Sequence, residues 1–426
     1  MREIVQQSID ALLAAGADRA QCWVTRSEKT ELALEAGSIE AMLTSVNQSI
    51  VLTALVGTRK GTQTVNQMED LPKAAADAIE QARGASEDDA NDIAEQENGA
   101  PSYDDGPATC DREAMYNRLF EFLTDTKEKL PEIGITDGGC EFVTRTVAVG
   151  NTNGVFITAR SGDYGCGFTF SARNEQYTGS MNYTYATFRD LGTPFAERGG
   201  TGMTMEQCVR ELGAKPLGEK FTGSVVLAPE TVGNMIEFYA NAYLSGSSLI
   251  AGTSLLKDKF SQSVAGKNVT LVSNPSDPDL CGIRLTPDGF RTHDMTVIKN
   301  GILKNFLLSQ YSAKKIGRPR SANYGEHLTL LPGTETKDCL ICGVKKGLLV
   351  GRFSGGMPND KGDFTGVAKN SFYIENGKIV RPVQETMISG NLLDLFNNLS
   401  GISSEVISTG LSKRPWVRAE NITISG

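Results

Sequence analysis

The sequence predicts an α+β fold in two domains, with largely antiparallel sheets and flanking helices. Apolar–polar runs recur between glycines and small polar residues, the pattern of half-buried strands. Four Asn-Gly or Asp-Gly pairs, at 153–154, 288–289, 300–301 and 376–377, stand between apolar runs. Such pairs supply the positive φ of tight hairpin turns at little cost. The length, 426 residues, exceeds what one ordinary core accommodates. The boundary is expected at Lys215-Pro216-Leu217-Gly218, giving an N-terminal α+β domain over 1–218 and a β-rich C-terminal domain over 219–426.

The elements follow in order. Val5, Ile9, Leu12 and Leu13 share one face of a first helix over 1–15. Strands are expected over 21–27, 30–35, 39–46 and 49–56, with breaks at Ala36-Gly37-Ser38 and Asn47-Gln48. Asp70 as cap and Pro72 in the first turn start a helix that runs to 82. The acidic, weakly apolar stretch 86–106 reads as an exposed loop. Met115, Leu119, Phe122, Leu123 and Leu130 stripe a helix over 111–130 that Pro131 ends. Strands over 144–150 and 155–160 flank Asn153-Gly154. Thr204 and Gln207 stand at capping-box spacing, before a stop at Gly213. The second domain opens with a buried strand over 224–228, and Pro229-Glu230 leads into a helix over 231–244. Leu392, Leu395, Phe396 and Leu399 mark a short amphipathic helix, and the chain closes on a strand over 421–425.

Composition excludes several functions. The net charge is −9 without a Lys/Arg cluster, so nucleic acid is not an expected partner. No apolar run approaches the ~20 residues of a membrane span, and 1–15 carries Arg2, Glu3 and Asp10 rather than a secretory signal. The expected location is the cytoplasm, with the eight cysteines reduced. There are two histidines, His293 and His327.

From 371 the chain reads Ser371-Phe-Tyr-Ile-Glu-Asn-Gly-Lys-Ile-Val-Arg-Pro-Val383, then Ile388-Ser-Gly-Asn-Leu392. Upstream stands Phe306-Leu-Leu-Ser-Gln-Tyr-Ser-Ala-Lys-Lys-Ile-Gly317. These segments, with the N-terminal hairpins over 32–61, resemble the TldD/PmbA family in order and spacing, and the second is closer to the PmbA/TldE type. The resemblance implies a two-domain α+β subunit that pairs with a TldD-type zinc peptidase subunit or with its own copy. It implies a peptide or unfolded protein as substrate. The family's older label, modulator of DNA gyrase, describes no chemistry.

The resemblance also implies a zinc site: a helix bearing His-Glu-x-x-x-His and a cysteine near the C-terminus. A catalytic zinc takes three protein ligands and an activated water, and the Glu takes that water's proton. Here the matching helix begins Thr231-Val-Gly-Asn-Met-Ile-Glu-Phe-Tyr-Ala-Asn-Ala-Tyr. Glu237 stands at the first His, Phe238 at the Glu and Ala242 at the second His. No His precedes residue 293 and no Cys follows Cys342; Ile407-Ser-Thr-Gly410 lies near the cysteine's place. No metal ligand, cofactor site or catalytic residue is therefore expected in this chain, and zinc is expected on a TldD-type partner.

Other patterns have plainer readings. Cys339-Leu-Ile-Cys342 reads as a packed, reduced pair, with a redox or metal role as the alternative. Ser254-Leu-Leu-Lys257 and Ser312-Ala-Lys-Lys315 lack the companion motifs of Ser-x-x-Lys enzymes. Gly165-Cys-Gly167 lacks a third glycine and reads as a bulge or turn. A peptide cleft, if one persists, is expected to involve Glu237, Tyr239, Tyr243, Ser245 and Gly246. The leading expectation is a non-catalytic PmbA/TldE-type subunit of a metallopeptidase system. The alternatives are a hydrolase using a different, non-zinc site, with the two histidines and the Cys339/Cys342 pair as places to look, and a self-associating peptide-binding protein.

Overall fold

The computed structural model describes residues 1–99 and 102–426. The N-terminal part comprises α1 (Arg2–Ala15), β1 (Arg19–Glu35), β2 (Ser38–Val56), β3 (Arg59–Val65), α2 (Leu71–Gly84), β4 (Ser102–Asp105), α3 (Arg112–Lys129), β5 (Ile133–Asn151), β6 (Phe156–Ala172), β7 (Asn182–Phe188) and α4 (Thr201–Glu211). Its sheet runs β3-β2-β1-β5-β6, with β7 antiparallel and β4 parallel to different stretches of β6. One apolar cluster joins α1 and α2 to this sheet, and a second joins α3 and α4 to β5, β6 and β7.

The rest comprises β8 (Lys215–Pro216), β9 (Lys220–Leu227), α5 (Pro229–Tyr239), a π-helical turn (Ala240–Leu244), α6 (Gly246–Ala251), β10 (Leu271–Ser273), β11 (Met295–Lys299), β12 (Ile302–Leu303), α7 (Gln310–Ile316), β13 (Leu328–Leu330), α8 (Lys337–Cys342), β14 (Lys346–Gly355), β15 (Asp363–Glu375), β16 (Lys378–Gln384), β17 (Met387–Asn391), α9 (Leu392–Asn397), β18 (Leu399–Ser408) and β19 (Lys413–Ser425). The pairings β14-β9-β19-β17-β15 return to β14, so five strands form a closed ring without free edges among them. All pairs in this ring are antiparallel except β14–β9. β8 already belongs to this second sheet, through Val383 and Gln384 of β16. The α+β class and antiparallel sheets agree with the sequence reading.

Several local expectations fail for identifiable reasons. The predicted breaks inside β1 and at Asn47-Gln48 do not exist, because Asn47 and Gln48 pair with Ser27 and Arg26 in an unbroken ribbon. The turn at Ala36-Gly37 is present, with both residues at positive φ. Asp70 makes no side-chain cap, and α4 begins three residues before Thr204, whose hydroxyl donates back to the Gly200 carbonyl. No capping box forms there. Asp288-Gly289 turns the chain between single bridging residues, Leu285 and Arg291, rather than between strands.

The stretch read as an exposed loop is the largest departure. Ile93 and Ala94 are buried, and 102–105 form β4. Asp92 pairs with Arg19 and Lys314, Asp88 with Lys315 at 2.8 Å, and Gln310 donates to the Ile93 carbonyl. Its acidic residues thus tie the N-terminal sheet to α7 of the C-terminal part.

Candidate functional site

The helix that the resemblance singles out is α5. Pro229 occupies its first turn, and Val232, Met235, Ile236 and Tyr239 form its buried face, which packs on β14 and β19. The opposite stripe is polar: Glu230, Asn234 and Glu237, at i, i+4 and i+7. After Tyr239 the helix widens into the π turn, a form common near functional sites.

Of the expected cleft residues, Glu237 is exposed and Ser245 half-buried. Tyr239 and Tyr243 lie in the core at 1% exposure each. The Tyr239 hydroxyl donates to the Val264 carbonyl at 2.9 Å, and burial holds its pKa far above the phenolic range. The Tyr243 hydroxyl is enclosed without a partner, and burial pushes its pKa up to about 12. Neither ring can meet a peptide without repacking the core. Ser245 caps α6, accepting from the Ser248 N–H, while Gly246 lets α6 approach Ser312 of α7. The structure therefore does not bring these five residues to one open face.

It brings together a different set. Ile407 and Thr409 line a cavity of about 190 Å³ with Glu230 and Asn234 of α5, Arg414 of β19 and Tyr183 of β7. The Arg414 guanidinium lies flat against α5 at Gly233, where an added Cβ would sit 2.1 Å from its Nη1. Its Nε donates to the Ser412 hydroxyl at 2.8 Å, and its Nη2 to a Glu237 carboxylate oxygen at 3.4 Å. A fixed cation thus faces the turn where a metal would be expected. Phe238 and Ala242 pack against the core beside it. One carboxylate paired to a guanidinium, a phenyl ring and a methyl group are not a zinc donor set. Among the described residues no group of three His, Cys, Asp or Glu side chains has metal-binding geometry.

Burial raises the Glu230 carboxyl above the usual range, against the pull of Arg352 and Arg414. Behind Tyr183 stands Arg352 of β14, 9% exposed, with its guanidinium 5.5 Å from the ring centre. Glu230, Asn234, Arg352 and Arg414 escaped the sequence reading. The signal for the first two was the polar i, i+4, i+7 stripe on an otherwise apolar helix.

The remaining candidates separate. Cys339 and Cys342 are both exposed on α8, so the packed reading is incorrect: Leu340 and Ile341 between them take the buried face. Ser254 donates to the Tyr243 carbonyl at 2.7 Å, and Lys315 is engaged with Asp88. His293 is exposed. His327, at φ 58°, sets its Nδ1 2.9 Å from the Leu411 carbonyl, beside the Cys281-Gly282 loop. Burial pushes the Cys281 thiol up to about 12, which leaves no thiolate nucleophile there at neutral pH.

Comparison with known proteins defines the class. Residues 221–426 match the family model described as the PmbA/TldA metallopeptidase C-terminal domain. A metalloprotease of Methanothermobacter thermautotrophicus is 28% identical over 215 residues, 47% of each chain. A PmbA homologue of Haemophilus influenzae, named as a metalloprotease, is 23% identical over all of this chain and 96% of its own. Several curated relatives, the first among them, align over only about half their length. Two solved structures share the fold. One, from Bacteroides thetaiotaomicron, carries the provisional label of a DNA gyrase modulator (TM-score 0.88, 23% identity, 100% and 98% of the two chains). The other is TldE of Thermococcus kodakarensis (0.82, 19%, 99% of each). Residues 221–426 thus match the C-terminal domain of the PmbA/TldA metallopeptidases, and the chain as a whole is similar in sequence to a PmbA homologue named as a metalloprotease.

Proposed function

We propose that this chain is a non-catalytic, PmbA/TldE-type subunit of a TldD/PmbA peptidase system. It leaves zinc chemistry to a TldD-type partner and shapes that partner's access to a peptide or unfolded-protein substrate. The observation that carries this reading is the environment of α5, where Glu237, Phe238, Ala242 and the Arg414 guanidinium stand in place of ligands and general base. A half-buried cation at that turn opposes a second one by Coulomb repulsion. The reading includes a cytoplasmic location and a functional division into 1–218 and 219–426. No helix among the described residues is long and apolar enough to cross a membrane.

Co-expression with a TldD-type chain carrying His-Glu-x-x-x-His tests the proposal. The expected result is a co-purifying complex whose proteolysis differs from that of the partner alone. Absence of a complex, together with unchanged proteolysis, would sink it.

A further inference from the structure

Of the eight cysteines, only Cys339 and Cys342 are exposed, and they stand together on α8. At i and i+3 the two thiols share one face of the helix, while Leu340 and Ile341 take the opposite face. Those two side chains are packed in an apolar cluster with Val226, Ala228, Leu349, Phe372 and Trp416. The helix backbone is held at both ends. The Thr336 hydroxyl accepts from the Cys339 N–H at 3.1 Å, and the Glu405 carboxylate accepts from the Lys337 N–H at 3.0 Å. At the other end the Cys339 carbonyl accepts from the Gly343 N–H at 3.1 Å. The two thiols therefore project from a fixed base.

Their spacing suits one chemistry. Cα atoms three residues apart in an α-helix are ~5 Å from one another, within the ~4.4–6.8 Å that a disulfide spans. A tetrahedral zinc would need further ligands. Among the described residues, no group of three His, Cys, Asp or Glu side chains has metal-binding geometry. The other six thiols are buried or half-buried, and burial raises each of them. That disfavours the thiolate, the form that attacks a disulfide. Accessibility and pairing thus single out one place on the chain for thiol–disulfide exchange.

We propose that Cys339 and Cys342 form a reversible redox pair that exchanges with small-molecule disulfides. One thiol loses its proton and its sulfur attacks the small disulfide; a mixed disulfide forms and one small thiolate leaves. The second cysteine, also deprotonated, attacks the protein sulfur of that mixed disulfide. The Cys339–Cys342 bond forms and the second small thiolate leaves. The two small thiolates take up the two protons, so the protein gives up two electrons and two protons and the small disulfide gains them. The new bond staples α8, which packs on β18 and β19, the strands that bring Ile407 and Arg414 to α5. This chemistry needs neither a partner chain nor zinc, so it stands apart from the peptidase-system reading.

Mass spectrometry of the full chain, equilibrated in glutathione buffers of rising oxidised share, tests the pair. Trypsin releases both cysteines in one peptide, 338–345. The expected result is the loss of two hydrogens from that peptide, with no glutathione attached, reversed by dithiothreitol. The other six cysteines are expected to stay reduced in the folded chain. Cys339→Ser and Cys342→Ser should each stop at one bound glutathione per chain. If a variant does not fold, the parent peptide alone decides. An unchanged mass of 338–345 in fully oxidised glutathione would overturn the pair. So would glutathione on both cysteines, or disulfides between chains in place of the internal one.

Discussion

At the scale of single residues, the features that matter are close approaches and unpaired buried charges. Gly410 adopts φ +77°, and a Cβ there would stand 1.9 Å from the Thr187 carbonyl oxygen. Gly410→Ala therefore combines backbone strain with a clash against main chain that cannot move aside. A loss of at least about 2 kcal/mol is expected in urea denaturation. Asp163 is a second case: its Oδ1 is buried without a hydrogen-bond partner, and burial raises its carboxyl above the usual range. A raised folded-state pKa means that the native protein holds the proton more tightly than the unfolded chain. Its contribution is then fully present below the unfolded value of about 3.9 and is lost as pH rises through the folded one. Asp163→Asn, which mimics the neutral form, is expected to melt above the parent at pH 7. The difference should close as pH falls toward 4; a difference independent of pH would remove this explanation.

At the scale of elements, α5 is an anchor with two faces. Tyr239 fixes its C-terminal end by ring packing against Tyr243 and Phe396 and by one buried hydrogen bond. Tyr239→Phe should cost about 1 kcal/mol by leaving the Val264 carbonyl unpaired. Tyr239→Ala should cost about 3–5 kcal/mol, since it also opens a cavity. The longer helices were legible because their apolar stripes survive any tertiary context, as at Val5, Ile9 and Leu12 of α1, whereas the short α6 and α7 carry no such stripe and were not anticipated. The β1–β2 ribbon was not: Met42, Leu43 and Val46 are all exposed, so both faces of that segment meet water and alternation disappears. The site was legible only in part. The sequence located α5 and the 407–410 segment, because motif positions can be counted along the chain. It could not show that Tyr239 and Tyr243 point inward, or that Arg352 and Arg414, more than a hundred residues away, close on the same helix.

At the scale of the whole molecule, acidic residues from 88–105 hold the N-terminal and C-terminal parts together. Asp105 receives Arg189 from the first and Arg284 from the second, the latter at 3.1 Å, and Arg189 also donates to the Leu280 carbonyl at 2.7 Å. The carboxylate is largely enclosed, with 19% of its side chain exposed, so it is more than a surface pair. Asp105→Ala leaves two half-buried guanidiniums facing one another and should cost about 2 kcal/mol, less than for complete burial. Limited proteolysis should then cut between residues 189 and 284 faster than in the parent. That stretch was unreadable from sequence because its acidic residues resemble a solvated loop until their partners, far along the chain, are known.

The central claim is that peptide hydrolysis in this system belongs to a partner chain. The direct measurement is hydrolysis of an unfolded protein by this chain alone, by a TldD-type partner alone and by the two mixed, each with zinc and with a chelator. The account predicts no cleavage by this chain under either condition, and zinc-dependent cleavage that appears or changes when the two are mixed. Cleavage by this chain alone in the presence of chelator would contradict it.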